Sequence, residues 1–289
     1  MDIGIGLPNP IPGTPGRTLL AWAGRAEERG FATLATIDRI AYPSYESLTV
    51  LAAAAAVTQR IELLTNVVLG PTRNAVLLAK ESASVDQLSG GRLTLGVGVG
   101  ARKDDYDAVG VAFERRGRKW DADLETIHQA WRGETVEGAE KPIGPQPVRK
   151  GRIPILVGGM SDASLRRLVR WGAGWTLGGA PPEQGGPFAE RVRAAWKEGG
   201  RDGDPRLVAL SYFALGADAE DRARAYLSDY YGGFGAQIAA FIPKSPGAIR
   251  DTIHAFEAYG FHELILDPTI AELEQLDGAA DAALGSPAA

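Results

Sequence analysis

The sequence predicts a (β/α)₈ TIM barrel, and three observations support this fold class. Eight short apolar runs are spread along the 289 residues, and a longer helical stretch follows each of the early ones. Such alternation is typical of parallel βα units, and eight strands is the number at which a parallel sheet closes into a barrel. Glycines stand where several helices end. An open doubly wound sheet would alternate in the same way, but the strand count and the glycines favour the barrel.

The strands are expected at residues 3–7, 33–37, 61–68, 92–97, 153–157, 174–177, 207–213 and 263–266. The helix expected at 18–29 ends at Gly30, which can take a left-handed conformation, and Gly172 and Gly260 are expected to end later helices in the same way. Extended loops are expected after strand 4 (98–118) and near strand 7 (229–246), with a third long segment at 131–152. The segment 229–246 is rich in glycine and aromatic residues and suggests a mobile lid. No composition break marks a linker, so a single domain over 1–289 is expected.

Composition excludes several classes of function. The net charge of −5 gives no general basic surface for nucleic acid, and the absence of cysteine excludes thiolate metal sites and cysteine nucleophiles. The three histidines lack the spacing of metal ligands, so we expect no metal. The N-terminus has no signal-peptide pattern, and the longest apolar run, 50–57, is far too short to span a membrane. We therefore expect a soluble cytoplasmic protein.

Polar residues follow several predicted strands, where the active site of a barrel lies. Asp38 and Arg39 follow the second strand, Asn66 lies in the third, and GVGARKDDYD continues from the fourth. After the fifth strand, the Gly158-Gly159 turn leads into a helix that begins at Ser161. Glycine lets a ligand approach the backbone, and helix amides suit a phosphate. The same residues fit a plain helix cap, and the sequence leaves both interpretations open.

Two further patterns bear on ligand binding. The GVGVG run at 96–100 lacks the spacing of a dinucleotide fingerprint, and its glycines are expected to leave room at the strand end instead. Arg115, Arg116 and Arg118 lie beside the next helix, where they form either a solvated cluster or a phosphate contact. Neither a G-x-S-x-G elbow nor a P-loop is present, which argues against hydrolase activity.

The segment 63–100, LLTNVVLGPTRNAVLLAKESASVDQLSGGRLTLGVGVG, resembles the core signature of the bacterial luciferase-like monooxygenase superfamily. The resemblance combines a polar strand end, a Pro-Thr loop, a helix ending in DQLSGGR and a glycine-rich fourth strand. The order of elements fits that family over nearly the whole chain. The resemblance implies a flavin- or deazaflavin-dependent oxidoreductase with its cofactor at the C-terminal ends of the strands.

The resemblance also implies roles for individual residues. Members often have a non-prolyl cis peptide at the end of the third strand, which supports the isoalloxazine ring and here falls between Asn66 and Val67. The cofactor phosphate would be bound near the turn after the fifth strand, with Arg116 or Arg118 assisting. The implied cofactor-binding residues are Asn66, Val67, Gly158, Gly159, Met160, Ser161, Arg116 and Arg118.

The sequence departs from the family pattern at two places. Asp38 and Arg39 stand where a histidine is frequent, and Val99 stands where the luciferases have a phosphate-binding arginine. Light emission is therefore not expected. The residues expected around the substrate are Asp38, Arg39, Arg102 and Tyr106, with Arg102 facing an anion or a carbonyl and Tyr106 or Asp38 exchanging a proton. Each fits a loop salt bridge or packing role equally well.

The leading hypothesis is a two-component monooxygenase that uses reduced FMN, supplied by a separate flavin reductase, and O₂ on a small organic substrate. The alternative is hydride transfer with the deazaflavin coenzyme F-420, whose long anionic tail would require basic groups such as Arg102, Lys103 and Arg118. A non-catalytic barrel homologue is the third hypothesis. The resemblance further suggests a homodimer through the helices after strands two and three, where the alanines at 52–56 suit close packing against either a partner or the barrel.

Overall fold

The computed structural model describes residues 1–149 and 151–285; Lys150, in the long segment 131–152, and the last four residues of the expected domain lie outside the described residues. Eight parallel strands pair in sequence order, and the eighth pairs with the first, so the sheet closes into a barrel. The predicted fold class is confirmed. The strands are β1 Asp2–Gly6, β2 Thr33–Thr36, β3 Glu62–Leu69, β4 Leu93–Gly98, β5 Ile155–Gly158, β6 Gly174–Leu177, β7 Arg206–Phe213 and β8 Glu263–Pro268.

Helices surround the barrel and connect its strands. They are α1 Gly16–Glu28, α2 Ser47–Val57, α3 Ala75–Leu88, α4 Lys103–Asp107, α5 Arg116–Trp131, α6 Asp162–Trp171, α7 Pro182–Glu198, α8 Ala219–Tyr231, α9 Gly235–Phe241, α10 Pro246–Ala258 and α11 Leu273–Ala283. The segment 98–118 contains α4 and the start of α5, and most of 229–246 is helical because it contains the end of α8 and all of α9. Within the described ranges, no helix is long and apolar enough to cross a membrane.

Alternation along the strands separates two apolar layers. Alternate side chains point into the barrel, where five of them form a closed cluster: Ala35, Leu64, Leu156, Val208 and Ile265. Their neighbours along each strand point outward and join the larger core beneath the helices. Because side chains alternate with a period of two, residues two positions beyond the inner cluster line the C-terminal mouth of the barrel.

The glycines at the helix ends are only partly as expected. Gly30 and Gly260 have φ of 85° and 73°, in the left-handed region. Gly172 has φ of −78°, so the expected left-handed end is wrong there. A Cβ atom at Gly172 would lie 3.0 Å from the Leu168 carbonyl oxygen. Close packing, rather than backbone conformation, therefore favours glycine at this position.

Candidate active site at the barrel mouth

The mouth of the barrel is lined by inward-facing residues at the ends of several strands. They include Asn66 on β3, Thr176 on β6, Tyr212 on β7 and Asp267 on β8, together with Gly6, Gly98 and Gly158. Thr176 lies three strands from Asn66, yet its hydroxyl donates to the Asn66 side-chain oxygen at 2.6 Å. Such a bond is possible only across the barrel interior, so these side chains lie at one site.

Asn66 and Val67 form a bulge at the end of β3. The register with β4 shifts between Thr65 and Val68, and the Asn66–Val67 peptide is cis, as expected. A Cβ at Gly98 would lie 2.7 Å from a Val67 methyl, and one at Gly158 would lie 3.2 Å from the other. The two glycines therefore let the Val67 side chain lie flat over the ends of β4 and β5. With its oxygen bound by Thr176, Asn66 keeps a buried amide nitrogen that has no partner among the described residues.

Asp267, at the end of β8, is a mouth residue that the sequence prediction missed. It is 1% exposed, and its Oδ1 has no hydrogen-bond partner within residues 1–149 and 151–285. Burial raises the pKa of this carboxyl well above its ordinary value. Gly6 and Tyr212 lie beside it on the neighbouring strands. The motif ELILDP carries the signal, because a carboxylate directly follows an apolar run, as Asp38 does at the second strand.

The turn after β5 has the glycine conformation and helix start that the sequence suggested. Gly159 has φ of 98°, and Ser161 caps α6 through a reciprocal capping box with Ser164. The capping interpretation is thus confirmed, while the phosphate role stays a prediction. Asp162, whose charge would oppose an anion, pairs with Arg191 at 2.6 Å. Met160 is 48% exposed at the tip of the turn.

The two arginines expected to assist the phosphate differ in their surroundings. Both lie in the first turn of α5. Arg116 donates to the carbonyls of Phe113 and Gly100 and stacks on the Phe113 ring at 3.7 Å. Arg118 is exposed, and within the described part of the chain no hydrogen bond or ion pair holds it. Because cations at a helix N-terminus oppose the helix dipole, an anion near Arg118 would relieve that repulsion.

Asp38 is buried and almost fully engaged by protein donors. Its carboxylate accepts from the Leu69 amide at 2.9 Å, from Ser47 at 3.3 Å and from Arg73 at 3.0 and 3.1 Å. Arg73 also pairs with Glu46 at 2.9 Å. The geometry gives Asp38 a positioning role at the end of β3, and its predicted proton exchange stays a prediction.

Arg39 and Arg102 converge on one carbonyl group, that of Tyr230 at the end of α8, at 3.4 and 2.9 Å. Arg39 also forms an ion pair with Asp105 at 2.8 Å and another with Asp104 at 2.9 Å. The two arginines therefore connect the β4–α4 segment to the helical segment after β7.

Tyr106 lies behind that segment and is fully buried. Its hydroxyl donates to the Val99 carbonyl, and burial raises its pKa to about 12. Arg39 and Arg102 are thus brought together at the Tyr230 carbonyl, whereas Tyr106 is held separately by the Val99 carbonyl. Their expected contact with the substrate stays a prediction.

Buried tyrosines are the second feature that sequence reasoning missed. Tyr230 and Tyr231 end α8, and the Tyr231 hydroxyl lies 2.7 Å from that of Tyr212 on β7. Both arginine side chains lie over this cluster, with Arg102 5.0 Å from the ring centres of Tyr230 and Tyr231. The sequence signal for this cluster was the adjacent pair Tyr230 and Tyr231, which lies in the aromatic-rich segment 229–246.

Comparison with known proteins gives a consistent result. The model of the luciferase-like monooxygenase family matches residues 1–288. An uncharacterized protein of Mycobacterium tuberculosis is 30% identical over 226 residues, which cover 68% of this chain and 77% of the relative. The structure of monooxygenase RslO1 from Streptomyces bottropensis is similar with a TM-score of 0.79 at 22% identity, covering 98% and 99% of the two chains. An F-420-dependent secondary alcohol dehydrogenase, solved with an F-420–acetone adduct, has a TM-score of 0.79 at 15% identity and 98% coverage of both chains.

Proposed function

Because the chain belongs to the luciferase-like monooxygenase family, we propose that it is a flavin-dependent monooxygenase that uses reduced FMN and O₂ to oxidise a small organic substrate. The observation that carries this proposal is the pair of buried, unpartnered polar atoms at the mouth, the Asn66 amide nitrogen and Asp267 Oδ1. Buried polar groups without partners are costly and call for an explanation. The pyrimidine edge of a flavin ring carries the carbonyl and N–H groups that would satisfy them.

The surroundings of these atoms fit a flat ring. Val67 lies flat because Gly98 and Gly158 leave no side chain in its way, so it would support one face of the ring. Burial raises the pKa of Asp267 and so favours its protonated form, which has a proton to donate, and the Asn66 amide is a second donor. These two groups would bind and orient the ring edge. The bound flavin would supply oxygen activation, while the chain provides binding, orientation and exclusion of water.

The phosphate would lie between the starts of α5 and α6. The amides of Met160 and Asp162 have no backbone partner in the described part of the chain, and Arg118 extends from the first turn of α5. The ion pair with Arg191 offsets the charge of Asp162. Helix N-terminal amides with an available guanidinium make a suitable phosphate site.

The engagement of the basic groups supports FMN over the deazaflavin. Of the three residues suggested for the anionic tail of F-420, Arg102 is held by the Tyr230 carbonyl and Lys103 forms an ion pair with Asp107 at 2.5 Å. Arg118 alone is left. One guanidinium with helix amides suits a single phosphate better than a long tail of several carboxylates.

Anaerobic fluorescence titration tests the proposal. Purified protein is titrated with chemically reduced FMN, reduced riboflavin and coenzyme F-420, in the wild type, in Arg118→Ala and in the matched control Arg115→Ala, which removes an exposed arginine nearby. We expect FMN to bind at least tenfold more tightly than riboflavin, with Arg118→Ala removing most of that difference and Arg115→Ala retaining it. Tight binding of F-420 alone would overturn the FMN assignment, and binding of none of the three would support a non-catalytic barrel.

We further propose a homodimer through α2 and α3. Their outer surfaces carry Val57, Leu77 and Leu88, which are 45%, 55% and 68% exposed. Among the alanines at 52–56, Ala54 and Ala55 are buried against the barrel, so that part of the stretch packs inward. Sedimentation of Leu77→Glu should show a shift from dimer to monomer, and an unchanged sedimentation coefficient would contradict this interface.

A further inference from the structure

A cavity of about 810 Å³ lies beside the barrel mouth. It is enclosed by residues 178–184 after β6, by the C-terminal half of β7, and by α9 and α10. On the side of the cavity that faces the barrel, the lining residues are Gly178, Leu210 and Tyr212. Leu210 and Tyr212 are inward-facing positions of β7. The cavity therefore shares Tyr212 with the barrel mouth, where this side chain lies beside Asp267. Asp38, Arg39, Arg102 and Tyr106 do not line it.

The walls of the cavity are mainly apolar. Its outer side is formed by Ile238, Phe241 and Ile242 of the α9 region and by Phe256 of α10. Phe234 and Phe241 are 72% and 81% exposed at the rim. Exposed aromatic side chains grouped around a concavity are typical of a binding site. A volume of this size falls within the range of roughly 300–1,000 Å³ that buries a drug-sized ligand.

One end of the cavity is polar because Tyr212 and Tyr231 both line it. Their hydroxyls lie 2.7 Å apart and share one hydrogen bond. Two hydroxyls carry two protons and their mutual bond uses one, so the pair has one O–H left to donate. Burial raises the pKa of both phenols, which therefore stay neutral donors at physiological pH.

The charged residues of the cavity have one sign. Glu183 and Asp251 line it, and no lysine, arginine or histidine does so among its described lining residues. An anionic ligand would meet two carboxylates without a compensating cation. An uncharged ligand would bury apolar surface without that repulsion.

We propose that this cavity binds the organic substrate, and that the substrate is an uncharged, largely apolar molecule with a carbonyl or hydroxyl oxygen placed against the Tyr212–Tyr231 pair. This inference rests on the proposed function and replaces the anion at Arg102 as the substrate class. Arg102 instead holds the Tyr230 carbonyl and the faces of the two adjacent rings. Its role is to position the tyrosines.

The test uses cofactor-free protein and the neutral, polarity-sensitive ketone 6-propionyl-2-dimethylaminonaphthalene as a fluorescent probe. Two competitors of the same ring size are compared, the neutral 2-acetylnaphthalene and the anionic 2-naphthoate. We expect blue-shifted probe emission and displacement by the ketone at a concentration at least tenfold below that of the carboxylate. Equal or stronger displacement by 2-naphthoate would overturn the charge argument.

Variants locate the probe. Ile238→Trp fills the cavity and should weaken probe binding at least tenfold, whereas Ala240→Trp adds the same ring on an exposed, non-lining position of α9 and should leave it unchanged. Naphthalene, which lacks the carbonyl, serves as a third competitor, and in the wild type we expect it to displace the probe less effectively than 2-acetylnaphthalene does. The double variant Y212F/Y231F keeps the cavity apolar and should abolish this preference for the ketone. Unchanged probe binding in Ile238→Trp, or an unchanged ketone preference in Y212F/Y231F, would refute the site.

The flavin titration separates this inference from the proposed function. Ile238→Trp should still bind reduced FMN as the wild type does, because Ile238 is not part of the proposed flavin site. If FMN binds but the probe is not affected by Ile238→Trp, the substrate cavity is wrong and the flavin assignment stands. If probe binding changes in every variant as expected but no flavin binds, the cavity is a ligand site and the proposed function is wrong.

Discussion

Replacing Asp267 with asparagine is expected to stabilise the protein by an amount that grows with pH. Burial raises the pKa of the Asp267 carboxyl in the folded state, whereas in the unfolded chain it is about 3.9. Between these two values the folded state keeps a proton that the unfolded state has released. The carboxyl therefore contributes its full stability below about pH 4, and rising pH removes about 1.4 kcal/mol per unit until the folded pKa is passed. The amide does not titrate, so the free energy of unfolding of Asp267→Asn does not decrease with pH for this reason.

Urea unfolding of cofactor-free protein at pH 5, 6 and 7 measures the effect. The free energy of unfolding of Asp267→Asn, relative to the wild type, should rise from pH 5 upward, with a limiting slope of about 1.4 kcal/mol per pH unit while the pH stays below the raised folded-state pKa of Asp267. Asp277→Asn is the control, because hydrogen bonds from Arg25 and Arg29 lower the pKa of Asp277 despite partial burial. That carboxyl is ionised in both states above pH 5, so its difference should stay constant. A pH-independent difference for Asp267→Asn would refute the reasoning, since the buried carboxyl would then be ionised in the fold.

Three further substitutions have defined expectations. Asp38→Ala leaves the Arg73 guanidinium without its buried partner and should lower the free energy of unfolding by about 3 kcal/mol in urea titrations; a loss below about 1 kcal/mol would contradict the positioning role. Gly96→Ala would place a Cβ 1.9 Å from the Thr65 carbonyl oxygen, so it should abolish or severely reduce the yield of folded protein, which circular dichroism can measure. Gly24→Ala, in the middle of α1 with open space around it, should raise the free energy of unfolding by about 0.5–1 kcal/mol, and a lowered urea midpoint would contradict this.

The barrel could be predicted from the sequence because its signal is local and repeated. Apolar runs of strand length recur eight times, and every predicted run overlaps an observed strand. The ends of the strands were less predictable, since pairing with a neighbour sets them. β8 was expected to span 263–266 and therefore to stop before Asp267. It continues to Pro268 because β7 extends to Phe213, and Phe213 of β7 pairs in register with Pro268 of β8.

That boundary also explains why part of the site was missed. Asn66 could be assigned to the mouth because the motif around it resembles a known family signature. Asp267 lies one residue beyond the expected end of that strand at Leu266, so the sequence analysis did not place it among the inward-facing residues. Burial and the lack of a partner give Asp267 its significance, and both depend on Gly6 and Tyr212, which are distant in sequence. A periodicity argument contains no information about such contacts.

Polar residues at the ends of barrel strands thus have two different roles, and hydrogen bonding distinguishes them. Asp38 and Arg39 follow β2 as catalytic residues would, but protein partners already engage their charged groups. Asp38 stabilises the end of β3, and Arg39 stabilises the position of α4. The Asn66 amide nitrogen and Asp267 Oδ1 are equally buried and lack partners in the part of the chain that the structure describes. Other buried polar atoms of the described chain also lack partners, among them Arg73 Nε. Asn66 Nδ2 and Asp267 Oδ1 differ from Arg73 Nε because both belong to inward-facing residues at the strand ends, where a ligand could complete their hydrogen bonds.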